Sequence, residues 1–213
     1  MPIDNVSPTR ISLIQTKKTL KLAETGREVL EHKRDILLRE LRNSIVEAEQ
    51  KRDILTKALA VAYQSLREAN ISKGSENISN AVLGSPSRAN YYVDARSIMG
   101  VVVPLVKTQT EHNVKPEYGF LNTNSDLDKA FRQFLIVFEL IGELAKIEGT
   151  AFQLANAVNR TQRRVNALKY VLVPKYHDTV KWIELVLEEK EREEFIRTKR
   201  IKNMLKARQQ TST

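Results

Sequence analysis

The chain has 213 residues, no cysteine, 41% hydrophobic, 6% aromatic and 29% charged residues, and a formal net charge of +9. The missing cysteines exclude disulfides, thiolate metal sites and a catalytic thiol, and point to a reducing compartment. Scarce glycine (7) and proline (6) in a background of Leu, Ala, Lys, Glu, Arg and Ile predict a mainly α chain with an elongated, aromatic-poor core, and the positive charge predicts a polyanionic or acidic partner.

The first element is predicted to start at Ser7-Pro8, a serine N-cap followed by proline at the first helical position. Apolar residues then recur at Leu13, Leu20, Ala23, Leu30, Leu37, Leu41, Ile45, Ala48, Leu55, Leu59, Ala62, Leu66 and Ala69. Their spacing follows steps of three, four and seven, a heptad-like seam. Nothing stops this helix before the polar stretch NISKGSENISN at residues 70–80. At 1.5 Å per residue, sixty helical residues span ~90 Å, far more than a small globule uses. Residues 1–70 are therefore read as an N-terminal coiled-coil helix.

Residues 71–124 change character. The start of this insert reads as a mobile loop, and YYVDARSIMGVVVPLVK, rich in β-branched and aromatic residues, reads as short strands or a hairpin. Pro104 disfavours a central strand, because it removes a ladder donor.

Helical periodicity resumes after GFLNTNSD, with Asn124 or Ser125 as N-cap and Asp126 and Asp128 in the first turn. The second seam runs through Leu127, Phe131, Phe134, Phe138, Ile141, Leu144, Phe152, Ala155, Val165, Leu168, Leu172, Ile183, Val186, Ile201 and Leu205. Residues 125–213 form the C-terminal helix with its basic tail. Pro174 interrupts this seam without ending it, which predicts a kink rather than a helix end.

Two such helices joined by an insert fold back as an antiparallel coiled coil, with the termini at one tip and the insert at the opposite end. If Pro8 lies beside Arg208, then Leu30 sits near Val186, Ile45 near Val171, Gln50 near Asn166 and Pro174 near Arg42. The longer second helix then carries its surplus, with Phe131, Phe134 and Phe138, next to the insert.

Enzymatic motifs are missing. His32, His112 and His177 stand apart without ligand spacing, and no glycine-rich phosphate loop occurs. Runs such as LEEKEREEFIRTKR pair acid with base at helical spacing, a solvated face. RTKRIKNMLKAR at residues 197–208 holds Arg197, Lys199, Arg200, Lys202, Lys206 and Arg208 with no acid. A helix dipole explains part of that run, and an anionic surface facing it explains the rest.

Three segments carry a resemblance that spans nearly the full chain: SPTR at Ser7 to Arg10; LAETGREVLEHKRDILLREL at Leu22 to Leu41; and TQRRVNALKYVLVPKYHDTVKWI followed by LEEKEREEFIRTKRIK. In this order, separated by a variable insert, they resemble the D subunit of the archaeal and vacuolar-type (A-type/V-type) rotary ATPases. Family members often carry glutamate where this chain has Lys169. The resemblance implies the central rotor shaft of a proton-translocating ATPase or ATP synthase. It implies a non-catalytic component without cofactor, peripheral on the cytoplasmic side of the membrane with no span of its own. The implied partners are the catalytic A and non-catalytic B subunits of the ring, the small F subunit of the rotor, and the funnel-like C subunit (called d in some members) on the membrane rotor, with no nucleic acid. Arg10, Lys17, Lys18, Lys199, Arg200 and Lys206 are the expected ring contacts, and Arg163, Arg164 and Lys175 the expected mid-shaft contacts. The competing reading is a basic coiled-coil module that binds nucleic acid or an anionic membrane surface. It would need exposed aromatics interleaved with the basic residues, or one continuous basic face.

Overall fold

The computed structural model describes residues 7–83, 90–109, 118 and 124–211. Contacts divide the chain into two compact units, Met1–Arg34 with Arg160–Thr213, and Asp35–Asn159. The elements in chain order are α1 (Arg10–Lys73), α2 (Ser75–Leu83), β1 (Asn90–Ile98), β2 (Val101–Gln109), α3 (Ser125–Ala167), a π-helical turn (Leu168–Leu172) and α4 (Val173–Thr211).

Helix α1 starts two residues later than Ser7-Pro8 predicts. The cap is Thr9, whose hydroxyl oxygen accepts the Ser12 N–H at 3.2 Å while the Ser12 hydroxyl oxygen accepts the Thr9 N–H at 3.0 Å. The two residues thus cap each other's N–H groups, as in a capping box with serine in place of glutamate, the Thr9 N–H also reaching the Ser7 carbonyl at 2.9 Å. Ser7 has a different role, its carbonyl accepting from the Ser12 hydroxyl.

The far end of α1 also differs from expectation. Residues 70–83 are not a loop: α1 runs to Lys73, Gly74 takes φ +81, and α2 begins at Ser75. Gly74 donates its N–H to the Asn70 carbonyl at 2.9 Å, the left-handed glycine cap that ends many helices. Asn77 then donates to the Lys73 carbonyl at 2.8 Å, satisfying another group at the break. What holds α2 in place is Ile78, buried in a cluster with Ala69, Tyr118 and Leu127 and flanked by Ala81 and Phe131.

Strands β1 and β2 form an antiparallel hairpin in which Ile98 pairs with Val101. The two loop residues, Met99 at φ 51 and Gly100 at φ 78, have the paired positive values of a type I′ turn, whose twist matches the strands. Counting alternately from the closing pair, Pro104 opposite Ala95 falls at a non-hydrogen-bonded position, so its missing N–H costs the ladder nothing. Val103 is buried, and the Pro104 ring lies against α3 so closely that a Cβ on Gly149 would stand 2.7 Å from Pro104 Cγ. At the open end of the hairpin Tyr91 stacks on Phe138 at 4.2 Å between ring centres and donates its hydroxyl to the Phe138 carbonyl at 2.7 Å. Helix α3 is capped as expected, the Asn124 side-chain oxygen accepting the Leu127 N–H at 3.1 Å.

Within each unit the long helices pair antiparallel. Arg10 meets Glu191, Lys17 meets Glu184 and Arg34 meets Gln162 in one unit; Lys51 meets Glu143 and Arg52 meets Glu148 in the other. These rungs correct the register that aligns Pro8 with Arg208. Pro174 falls between the Lys17 and Arg34 rungs, not beside Arg42. Phe131 and Phe138 pack against Tyr118 and Tyr91 of the insert as expected, while the second helix also runs past Arg10, where every side chain from Glu188 to Leu205 is exposed.

The α1 seam is buried or half-buried at each expected position except Ile45, which is 44% exposed. It also takes in a polar residue, Thr16, whose hydroxyl is satisfied by the Ser12 carbonyl at 2.7 Å. In the second seam Phe152 is 66% exposed and Leu154 is the buried residue instead, while Ile201 and Leu205 stand in the unpartnered overhang.

The buried rows of the second seam jump at the π turn. Ile147, Leu154, Thr161 and Leu168 are seven residues apart, whereas the row resumes at Tyr176 and Ile183, one residue late. Val165 likewise continues at Val173, Val180 and Leu187. An uninterrupted α-helix would rotate the downstream row off its partner by ~100°. The wide turn absorbs the extra residue, with the Val173 N–H bonded to the Leu168 carbonyl. Pro174 follows at once, where its lack of a donor is tolerated.

Candidate functional site

The exposed surface of the described residues is dominated by charged groups and a few apolar side chains. Among the described residues no group of three or more His, Asp or Glu could hold a metal ion. A groove of about 380 Å³ between α1, the hairpin and α3 is lined by Glu40, Glu47, Lys51, Arg96, Glu143 and Lys146. Its charges include the Lys51–Glu143 pair at 2.6 Å, and no nucleophile–base pair faces it among the described residues. No helix is long and apolar enough to cross a membrane among the described residues.

Among the described residues, three groups are shifted from their ordinary values, all in the unit that carries the hairpin. Burial, reinforced by its hydrogen bond to Asp128, pushes the Tyr118 hydroxyl up. Burial also raises Tyr91. The Glu148 carboxylate, bonded to the Arg52 guanidinium at 2.6 Å, raises Arg52. None of these lies in a cleft suited to proton transfer, so each reports structure.

The expected contact residues separate into two sets. Arg10 and Lys17 already have carboxylate partners within the chain, Glu191 and Glu184, each at 2.7 Å. Both pairs are well exposed, and such pairs contribute only ~0–1 kcal/mol. Lys18, Arg163, Arg164, Lys175, Lys199 and Arg200 are not buried, and none has a side-chain ion pair among the described residues. The Lys206 side chain lies outside the described residues. Pro174 is exposed in the first turn of α4, just after the wide turn.

Charge and periodicity alone pass over Phe195, Ile196 and Met204 of the overhang. Phe195 (69% exposed), Ile196, Ile201, Met204 and Leu205 all face solvent there. At ~100° per residue they project at about 0°, 100°, 240°, 180° and 280° around the helix axis. They therefore cover the whole circumference, interleaved with exposed Arg197, Lys199, Arg200 and Lys202. Phe195 and Ile196 stand off the seam that predicts Ile201 and Leu205, and that departure is the signal the sequence offers.

Sequence similarity to known proteins runs over most of the chain. A family profile described as the D subunit of ATP synthase matches residues 12–203. The A-type ATP synthase D subunit of Pyrococcus furiosus is 39% identical over 207 residues, covering 96% of each chain. That of Methanopyrus kandleri is 36% identical over 204 residues, 95% of this chain and 88% of the relative. The V-type ATP synthase D subunit of Thermotoga neapolitana is 37% identical over 198 residues, 93% of this chain and 97% of the relative. With the match running from α1 into the overhang, this chain belongs to the family of ATP synthase D subunits.

Proposed function

We propose that the chain is the central rotor shaft of an A/V-type ATPase or ATP synthase, a non-catalytic component that transmits torque between the catalytic ring and the membrane rotor. One observation carries this reading: an exposed, strongly charged helical overhang whose few apolar residues, Phe195, Ile196, Ile201, Met204 and Leu205, point to all sides of the helix. Exposed apolar side chains on one face call for a partner on one side, whereas exposed apolar side chains on every face call for partners on every side. A ring of alternating A and B subunits with a central cavity is such an enclosure. The remaining division follows: helix 1–70, head 71–124, and helix with basic tail 125–213. The head end meets the small F subunit and the funnel-like C (or d) subunit, and the complex holds the chain peripherally on the cytoplasmic side of the membrane.

The mechanism rests on asymmetry. A single helix or helical pair inside a ring of three catalytic interfaces presents a different face to each, biasing each towards a different conformation. Rotation then cycles the three, and the shaft acts only through its differential affinity for the states. Lys18, Lys199, Arg200 and Lys206, with Arg10 and Lys17 shared with their intrachain partners, supply weak, exchangeable contacts to carboxylates of the ring. Such exposed pairs are worth ~0–1 kcal/mol each, so no single rotary position becomes a trap. Arg163, Arg164 and Lys175 serve as mid-shaft contacts to the ring or to the F subunit, and the turn at Pro174 bends the shaft to make its faces unequal. The test is a docking assay with the A/B ring: chains truncated after Arg197 should lose most binding, and a truncated chain of full affinity would overturn the reading.

A further inference from the structure

We propose that residues 172–187 carry two overlapping core frames, one residue apart, and that the wide turn held by Pro174 selects between two angular settings of the C-terminal segment. In the occupied frame the inward residues are Val173, Tyr176, Val180, Ile183 and Leu187, with Thr179 and Val186 beside them on the same face. Continuing the upstream rows through an uninterrupted α-helix selects a second set: Leu172, Lys175, Thr179, Trp182 and Val186. Four of these five carry apolar surface. Thr179 is already fully buried, while Leu172 and Trp182 lie at the margin, 39% and 38% exposed.

The two frames differ by one residue, so exchanging them rotates the segment, and the overhang with it, by ~100° about its own axis. No side chain needs to become polar or apolar for this to occur. The wide turn would close into an α turn, and Trp182 would replace Ile183 at the seam.

The facing stretch of α1 is suited to such a change. Its row runs Leu13, Leu20 and Arg27, with an arginine where a rigid seam would place Leu or Ile, and continues at Arg34 opposite Gln162, upstream of the wide turn. Arg34 donates to the Gln162 side-chain oxygen at 3.3 Å, and Gln162 to the Asn166 side-chain oxygen at 2.7 Å. The Arg27 Nε atom is enclosed without a hydrogen bond, with the Glu31 carboxylate 3.9 Å away. Flexible guanidinium stems follow a moving partner surface more readily than interdigitated aliphatic side chains do. The π turn itself contains no buried residue that would lock it.

Pro174 is the pin. In an α turn its ring meets the carbonyl four residues back and offers no N–H, whereas the wide turn relieves both problems. Removing the ring should therefore shift the population towards the second frame. The two frames involve only residues 10–34 and 160–205 and do not depend on the rotor reading.

The native absence of cysteine makes the test direct. Thr16→Cys is combined in the full-length chain with either Ile183→Cys or Trp182→Cys, and each pair is treated with a short thiol-to-thiol crosslinker. The 16/183 pair should crosslink efficiently and the 16/182 pair weakly. Adding Pro174→Ala should raise the ratio of 16/182 to 16/183 yield by about fivefold or more, as expected when a two-state balance is tilted. It should also slow hydrogen exchange at residues 171–175, where the α ladder is restored. A control that deletes Lys169 alongside Pro174→Ala removes the extra residue, and should return the yield to the 16/183 pair. A ratio that stays within about twofold on Pro174→Ala, or unchanged exchange at residues 171–175, would overturn the proposal.

Discussion

The Pro104 ring occupies the space that a side chain on Gly149 would need: a Cβ there would stand 2.7 Å from Pro104 Cγ, with Cδ at 3.8 Å. Glycine at this helical position is therefore what lets the hairpin settle on α3. Gly149→Ala gains helix propensity of up to ~1 kcal/mol and loses ~1–3 kcal/mol to overpacking. The expected result is net destabilisation in denaturant unfolding, with faster hydrogen exchange in β2. Combining it with Pro104→Ala should recover the loss, the signature of two directly coupled sites.

Tyr118 ties the head to the start of α3 through its bond to Asp128. Tyr118→Phe should cost about 1 kcal/mol, the net value of one part-buried hydrogen bond. The raised pKa adds a pH signature. Because the folded form holds its proton more tightly than the unfolded chain, its contribution is fully present below the ordinary tyrosine value and declines as pH rises past ~10. Urea unfolding across alkaline pH should show a steeper fall for the native sequence than for Tyr118→Phe, with Tyr91 supplying the residual slope.

The Lys17–Glu184 rung is geometrically close but exposed, with side chains 54% and 45% accessible. Lys17→Ala should change stability by under about 0.5 kcal/mol, and the difference should vanish at high salt. A larger loss would mean the rung sets the register of the pair, which the apolar rows alone are expected to do.

Arg163 and Arg164 are exposed and carry no ion pair among the described residues. Their reversal to glutamate should leave unfolding within about 0.5 kcal/mol of the native chain while lowering ATP-driven torque or coupled proton pumping in the reconstituted complex. Undiminished pumping would remove them from the mid-shaft contacts.

Periodicity makes the architecture legible. Leu13, Leu20, Leu30, Leu37 and Ala62 lie in the seam because a three-four repeat leaves few other faces for them. Asn124 is readable as a cap because its short side chain precedes two acids in a first turn. The register is not readable, because matching Pro8 with Arg208 presumes that two helices end together, and nothing in an apolar row states which rung meets which. The wide turn is hidden for a related reason: Leu172 and Val173 are both apolar, as are Trp182 and Ile183, so a shifted row and an unshifted one look alike. Gly74 reads as part of a loop by composition, whereas one left-handed residue suffices to separate two helices. In the candidate contact set, the exposed cations can be named from charge alone. The carboxylates that occupy Arg10 and Lys17 require the register first.

The central claim is that the overhang works by being enclosed. The most direct measurement is binding of full-length chains to the A/B ring, comparing the native sequence with Phe195→Glu, Met204→Glu and the pair. These positions lie on opposite sides of the helix, so a partner on one face would respond to one substitution, and a surrounding sleeve to both. Enclosure predicts at least tenfold weaker docking for each single variant, ~1.4 kcal/mol or more, with helical content and unfolding unchanged. Full affinity in either single variant would contradict it.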